Sequence, residues 1–248
     1  MSRRLFCLDI DRAASDNEQS MEEQTMKQAV FSLVLLILAP SVFAQTVVPV
    51  AQEPAHHLKL ENPFVRVYDV TVAPGEATLF HLHSLDYAFV IFGDATLKSQ
   101  SPGQQEQDLP VKNGDVNYTP GPITHRVRNI GTTLFHNLTI EFPGPKPSHT
   151  GPLNAPFGKG QSIVFENDRI RVVRLKLKPG ESTGMHTHTR PSLGIAVTAG
   201  SILVEYPDRQ TEKRALTPAF FSWREAQLTH SITNTGNMDY ESVNIELK

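Results

Sequence analysis

Gly75-Glu76-Ala77-Thr78-Leu79-Phe80-His81-Leu82-His83 returns 105 residues later as Gly180-Glu181-Ser182-Thr183-Gly184-Met185-His186-Thr187-His188. A third imidazole keeps the same offset, with His125 recurring as His230. Around them Glu61, Asn62, Arg66, Val67, Pro74, Asn129, Gly131 and Glu141 meet identical residues at Glu166, Asn167, Arg171, Val172, Pro179, Asn234, Gly236 and Glu246. The chain is therefore an internal duplication with a unit of roughly 85 to 90 residues. Two copies make a tandem pair of domains, because a stacked solenoid needs about three repeats to bury a core.

Working outward, apolar runs of four to eight residues alternate with Pro and Gly: Val65 to Val72, Ala88 to Phe92, Ile140 to Phe142, Ile170 to Leu177, Leu193 to Val197, Ser201 to Tyr206 and Val243 to Leu247. This is the spacing of an all-β sandwich or barrel. In Arg171 to Lys178 the alternation turns Leu175 and Leu177 inward and the lysines outward. Pro74-Gly75-Glu76 and Pro179-Gly180-Glu181 read as turns, as do Asn129-Ile130-Gly131 and Asn234-Thr235-Gly236. No segment carries a helical stripe of three turns. The expected organisation is a leader over 1–44, a first barrel over 56–142, a Pro/Gly-rich linker over 143–160 and a second barrel over 161–248.

Residues i and i+2 of a strand share a face, so His81 and His83 aim together, as do His186 and His188. His125 or His230, arriving from a distant strand, closes a facial set of three nitrogens and leaves positions open for water or substrate. A lone inward histidine is more often a core residue than a ligand. Three at one spacing, kept twice, point to metal.

These residues resemble a known family. Gly75, His81-Leu82-His83, Asp86 and Gly93, followed by Gly114, Pro120-Gly121, His125 and Asn129, are similar to the two motifs of the cupin superfamily. Their duplication resembles a bicupin over roughly Leu58 to Lys248. The resemblance implies two jelly-roll β-barrels, each holding one divalent metal on its motif histidines. It also implies a fourth, carboxylate ligand a few residues after the histidine pair. Asp86 stands near that place in the first copy, though closer to His83 than the family's usual spacing, while the second copy has Ser192 or Leu193 there. The expected ligands are His81, His83 and His125 in the first barrel, with Asp86 as the candidate fourth, and His186, His188 and His230 in the second. The second copy also has Ala219, Glu225 and Ala226 in place of the motif's glycine, proline and glycine.

Other candidates have two readings each. Glu225 is an outer-shell acid or, the better reading, an exposed loop charge. Tyr87, Tyr118 and Trp223 line pockets or, more often for aromatics, pack cores and rims. Arg66 and Arg171 alternate out of phase with Val65, Val67, Ile170 and Val172 and so are expected to face away from the core. His56, His57, His136 and His149 lie outside the motifs, and His136, which aligns with Glu241, is read as a surface or core residue.

The chain of 248 residues is 39% hydrophobic and 20% charged, which is ordinary globular composition. A net charge of −3 provides no electrostatic footprint for nucleic acid. Lys27, the apolar run from Ala29 to Ala39, Pro40 and Val42-Phe43-Ala44 read as a secretory signal cleaved after Ala44. The run is shorter than the ~20 residues of a membrane span. Acidic residues upstream suit no signal, so Met26 is the expected start, and Ser2-Arg3-Arg4-Leu5-Phe6 is read as a chance likeness to a twin-arginine motif. A periplasmic or secreted protein with no membrane attachment after cleavage is expected. The only cysteine, Cys7, lies upstream of the cut, which excludes a cysteine nucleophile and leaves His and carboxylate as ligands.

All-imidazole ligation leaves a divalent ion its full charge, suited to a small anionic or chelating substrate. The resemblance favours iron and a dioxygenase-like oxidoreductase. Manganese, copper, zinc and nickel compete, because loading outside the cytoplasm follows affinity, which rises toward copper. A metal-dependent lyase or decarboxylase of a small acid and a non-catalytic binding module remain alternatives. The oligomeric state is open; two barrels in one chain supply the contact that single cupins make by dimerising.

Overall fold

The computed structural model describes residues 46–146 and 158–248, within the compact unit Gln45–Lys248. The leader, the start at Met26, Cys7, His149 and the proline-rich middle of the linker lie outside the described residues. Among the described residues the regular structure is strand throughout, apart from a 3-10 turn at Val50–Gln52. Among the described residues no helix is long and apolar enough to cross a membrane.

Each copy of the repeat folds into two sheets. In the first, strands Val47–Pro49, Phe80–His83, Ile123–Asn129, Ala95–Gln100 and Gln107–Val111 lie side by side in that order. Strands His56–Glu61, Arg66–Val72, Phe135–Glu141, Tyr87–Ile91 and Val116–Thr119 form the facing sheet. The second copy repeats both orders, with His186–His188, Leu228–Asn234, Gly200–Glu205 and Thr211–Leu216 opposite Gln161–Glu166, Ile170–Leu177, Tyr240–Leu247, Ser192–Ala196 and Phe221–Arg224. These are two tandem jelly-roll barrels. The first begins upstream of residue 56, because Val47–Pro49 pairs in parallel with Phe80–His83 and sets Val48 beside His81.

Most residues identical between the copies are scaffold. The Asn62 carboxamide accepts from the backbone N–H of Phe64 and Val65 at 2.8 and 2.9 Å, and Asn167 does the same for Arg169 and Ile170 at 2.9 Å each. Both close the first hairpin as Asx turns. Fully buried Asn129 donates to the Val72 and Thr133 carbonyls, and Asn234 to those of Leu177 and Met238. An amide that satisfies two carbonyls at a strand end explains the retention, since burying either without a partner costs about 1–3 kcal/mol.

The barrels share one core. Val65, Val67, Ala88, Val90, Leu138 and Ile140 of the first pack with Ile170, Val172, Leu193, Ile195, Val243 and Ile245 of the second. Their apolar side is therefore the outer face of one sheet from each barrel. The other face of the same strands closes the barrel interior, where Val72 and Ile91 meet Leu97 of the facing sheet in one barrel and Leu175 and Leu177 meet Ile202 in the other. The first four residues of Ile170–Leu177, Ile170, Arg171, Val172 and Val173, are buried on both faces of the strand. The linker's first residues bind across this seam, where Arg169 donates to the carbonyls of Phe142 and Gly144.

Candidate metal centres

In the second barrel His186 pairs directly with His230 across neighbouring antiparallel strands, and His188 follows two residues on, which directs all three rings to the same face. His186 Nε2 and His230 Nε2 each lie 3.2 Å from His188 Nε2. Ligands held at 2.0–2.1 Å from one ion stand about 3.0–3.4 Å apart for octahedral to tetrahedral angles, so the donor set fits a divalent cation. The opposite nitrogens are committed. His186 Nδ1 donates to the Gly184 carbonyl at 3.0 Å and His188 Nδ1 to Glu246 Oε1 at 3.3 Å. Such outer partners hold each ring with Nε2 presented to a metal.

The first barrel repeats the arrangement. His81 pairs with His125, His81 Nδ1 bonds the Leu79 carbonyl at 2.9 Å and His83 Nδ1 bonds Glu141 Oε1 at 3.2 Å. His81 Nε2 is buried with no hydrogen-bond partner, an orphaned polar atom that a metal ion would satisfy. The His125 ring lies 4.6 Å from that of His81 and 5.4 Å from that of His83, against 4.8 and 5.1 Å for His230 and its two neighbours. The rings of the three motif histidines lie together in each barrel, but in the first the donors within 4.8 Å of one another are those of His56, His81 and His83, without His125.

A fourth imidazole, unforeseen in the sequence, joins the first site. His56, Nδ1 bound to Glu53 Oε2 at 2.6 Å, sets its ring 4.6 Å from that of His81. His56, His81 and His83 offer nitrogens within 4.8 Å of one another. Glu53, only 3% exposed, also accepts from the Leu79 N–H at 3.1 Å and so ties His56 to the segment that holds His81. Glu53 is buried, yet its bonds to His56, Leu79 and Ala55 keep its carboxyl below the usual carboxylate range. Burial first, then the neighbouring imidazoles, lowers His81 to about 2 and His125 to about 4. Burial and then the Arg224 charge lower His230 to about 2. Neutral imidazoles are the ligand form.

Asp86 does not join them. Its two oxygens accept from the Tyr118 hydroxyl at 2.5 Å and the Gly121 N–H at 2.9 Å, so the carboxylate fastens the turn after His83 to the opposite loop. The imidazole that stands beside the histidine pair instead is His56, from strand His56–Glu61.

The sequence matches no protein-family model, and it matches no curated protein. Solved structures do resemble it. AerE from Microcystis aeruginosa is similar with a TM-score of 0.55 at 14% identity, over 79% of this chain and 98% of that one. The oxalate decarboxylase of Lactobacillus farciminis gives 0.55 at 11% over 77% and 83%. The salicylate 1,2-dioxygenase of Pseudaminobacter salicylatoxidans gives 0.52 at 13% over 74% and 71%. The chain has the bicupin fold. At these identities the likeness concerns the fold, and the chemistry has to be argued from the sites.

The two sites are unequal in room. A cavity of about 370 Å³ adjoins the histidines of the second barrel, whereas the first keeps about 60 Å³. At the 105-residue offset Tyr87 becomes Ser192 and Phe89 becomes Gly194. In the first barrel Tyr87 stacks on His83 with ring centroids 4.2 Å apart, and Phe89 also lines the small cavity. Their loss opens the second barrel.

His56 corresponds to Gln161, whose amide donates to His186 Nε2 at 3.3 Å while its oxygen accepts from the Gly158 N–H. Tyr118 packs in the core between barrels, and Trp223 packs there while also bordering the larger cavity. Glu225 is exposed and accepts from Trp223 Nε1 at 2.7 Å. His136 pairs with Asp69 away from the sites, as expected of a residue outside the motifs. Arg66 and Arg171 do face away from the shared core, and there Glu61 and Glu166 hold them at 2.6 and 3.0 Å, with Arg171 buried and the Arg66 pair open to solvent. The motif glycine Gly114, at φ +79°, is replaced by Ala219 at φ +66°, so the turn survived the exchange at a cost of about 1–2 kcal/mol.

Proposed function

We propose that this chain is an exported, metal-dependent cupin oxidoreductase of dioxygenase type whose reaction site is the second barrel. The observation that carries the reading is the convergence of His186, His188 and His230 beside a 370 Å³ cavity. Three protein donors with adjacent space constitute a catalytic arrangement, whereas a site closed by a fourth donor is structural. The first barrel, with four imidazoles and almost no free volume, holds its ion for stability and for the shared core. A bound divalent ion, iron by resemblance, supplies Lewis acidity and a docking point for a small anionic substrate and dioxygen. The protein's residues orient the substrate, keep the imidazoles neutral and exclude water. A dioxygenase places both atoms of dioxygen in its substrate, which supplies the electrons, so no reductase partner is required.

Export rests on the leader from Lys27 to Ala44. Copper, zinc, nickel and manganese are the competing ions outside the cytoplasm. Elemental analysis of protein purified from its export compartment, followed by oxygen uptake against catechols, diketones and thiols, tests the reading. Near-stoichiometric metal with oxygen-dependent turnover that His186→Ala abolishes is expected. Turnover under strict anaerobiosis overturns the oxygenase in favour of a lyase. Metal-free protein, unchanged in stability and ligand binding by His81→Ala and His186→Ala, overturns metal dependence.

A further inference from the structure

The second cavity contains a cation without a counter-charge. Two arginines line it, Arg214 and Arg224. Arg214 forms a two-pronged pair with Glu212 at 2.7 and 2.6 Å, so its charge is cancelled. Arg224 has one hydrogen bond, to the neutral carboxamide of Asn244 at 3.0 Å, and forms no ion pair among the described residues. It enters because residue 194 has no side chain: a Cβ there would lie 2.4 Å from both terminal guanidinium nitrogens. In the first barrel the same two positions are Phe89 and Thr119. An aromatic ring has thus been exchanged for a glycine and a small hydroxyl for a guanidinium, at adjacent places on paired strands. The remaining wall joins apolar side chains, Leu175, Ile202, Val204, Leu216 and Ile232, to neutral polar ones such as Ser222, Tyr240 and Ser242, and the one carboxylate at its edge, Glu225, accepts from Trp223 Nε1.

A partly desolvated guanidinium with free donors favours a planar oxyanion, which it can hold by two parallel charge-assisted bonds. The Arg224 donors share a cavity with His186 and His230, and the cavity's volume lies within the range of small-molecule sites. Ser192, on the same face as Gly194 and paired in register with Arg224, buries a hydroxyl that has no partner.

We infer that Arg224, admitted by Gly194, is the specificity-determining residue of the second barrel and selects ligands that join a carboxylate to an apolar body. This deepens the proposal that the second barrel is the reaction site, but its test does not depend on metal. Benzoate and its neutral isostere benzamide are the probes, titrated by calorimetry into the full chain with and without bound metal. Trp223, the only tryptophan, provides a fluorescence readout at the cavity.

The metal-stripped protein is expected to bind benzoate at least about tenfold more tightly than benzamide. Arg224→Met should reduce that preference to about one. Gly194→Ala, which keeps the charge but displaces the guanidinium, should do the same and covers the case of an unstable Arg224 variant. Equal affinity for the two probes in the unsubstituted chain, no saturable benzoate binding, or a preference that survives both substitutions overturns the inference. If the preference holds and neither barrel takes up metal, the metalloenzyme reading fails and the carboxylate site stands; stoichiometric metal without the preference has the opposite meaning.

Discussion

His56 and Gln161 occupy the same place in the two barrels, 105 residues apart, and each reaches the first histidine of its motif pair. The imidazole of His56 lies 4.6 Å from the His81 ring, and the amide of Gln161 lies 3.3 Å from His186 Nε2. One is a strong metal donor anchored by a buried carboxylate. The other is a neutral amide anchored by a backbone N–H. The duplication therefore produced two sites with different donor sets on one scaffold.

His56→Gln should give the first barrel the donor set of the second. In a chelator competition the unsubstituted chain is expected to release the ion of the second barrel first and hold that of the first barrel at least about tenfold more tightly. The substitution should bring the two release steps together. Two steps that remain as far apart as before would remove His56 from the ligand set.

Glu141→Gln removes the carboxylate that orients His83, and Glu246→Gln does the same for His188. Each should weaken metal binding about 10- to 100-fold in its own barrel and leave the other barrel unaffected. Metal titration of each variant reads this directly; equal losses in both barrels would indicate damage to the shared core instead.

The metal-free protein should lose stability in acid. His81 and His230 are lowered to about 2 and His125 to about 4, chiefly by burial, whereas an unfolded histidine titrates near 6.5. Between those limits the unfolded chain binds more protons than the folded one, so stability falls as pH drops below about 6.5. Each such histidine contributes a slope on the order of 1.4 kcal/mol per pH unit. Denaturant melts of metal-stripped protein from pH 7 to 4 measure it, and bound metal should be released where the fold gives way, because the imidazoles of the unfolded chain protonate and no longer ligate. A flat profile would contradict the burial of these rings.

The common core should make the two barrels unfold together. Ile140 and Ile245 are both essentially inaccessible and lie on opposite sides of the seam. Ile140→Ala should cost about 2–5 kcal/mol, read as a shifted single transition in denaturant. Two separate transitions, with only the first displaced, would show that the barrels fold independently.

Much of this protein was legible in its sequence because the decisive signals are local and repeated. The 105-residue offset, the His-x-His spacing and the Pro-Gly turns specify two β-barrels and six converging imidazoles, since strand alternation places i and i+2 on one face. The same logic set Arg66 and Arg171 on the side opposite Val67 and Val172, although it did not show that Arg171 is buried there while Arg66 is open to solvent.

What sequence distance could not convey was which separate strands meet. Asp86 stands three residues after His83, yet the chain turns between their strands and commits the carboxylate to Tyr118 and Gly121. His56, twenty-five residues before His81 and outside both motifs, is brought to the site by Glu53, which bonds it and the Leu79 N–H together. The exchanges of Tyr87, Phe89 and Thr119 for Ser192, Gly194 and Arg224 can be read off the offset. Their consequence, a cavity with an unpaired guanidinium beside three imidazoles, depends on packing across paired strands, where the space lost by one side chain is available only to its neighbour in three dimensions.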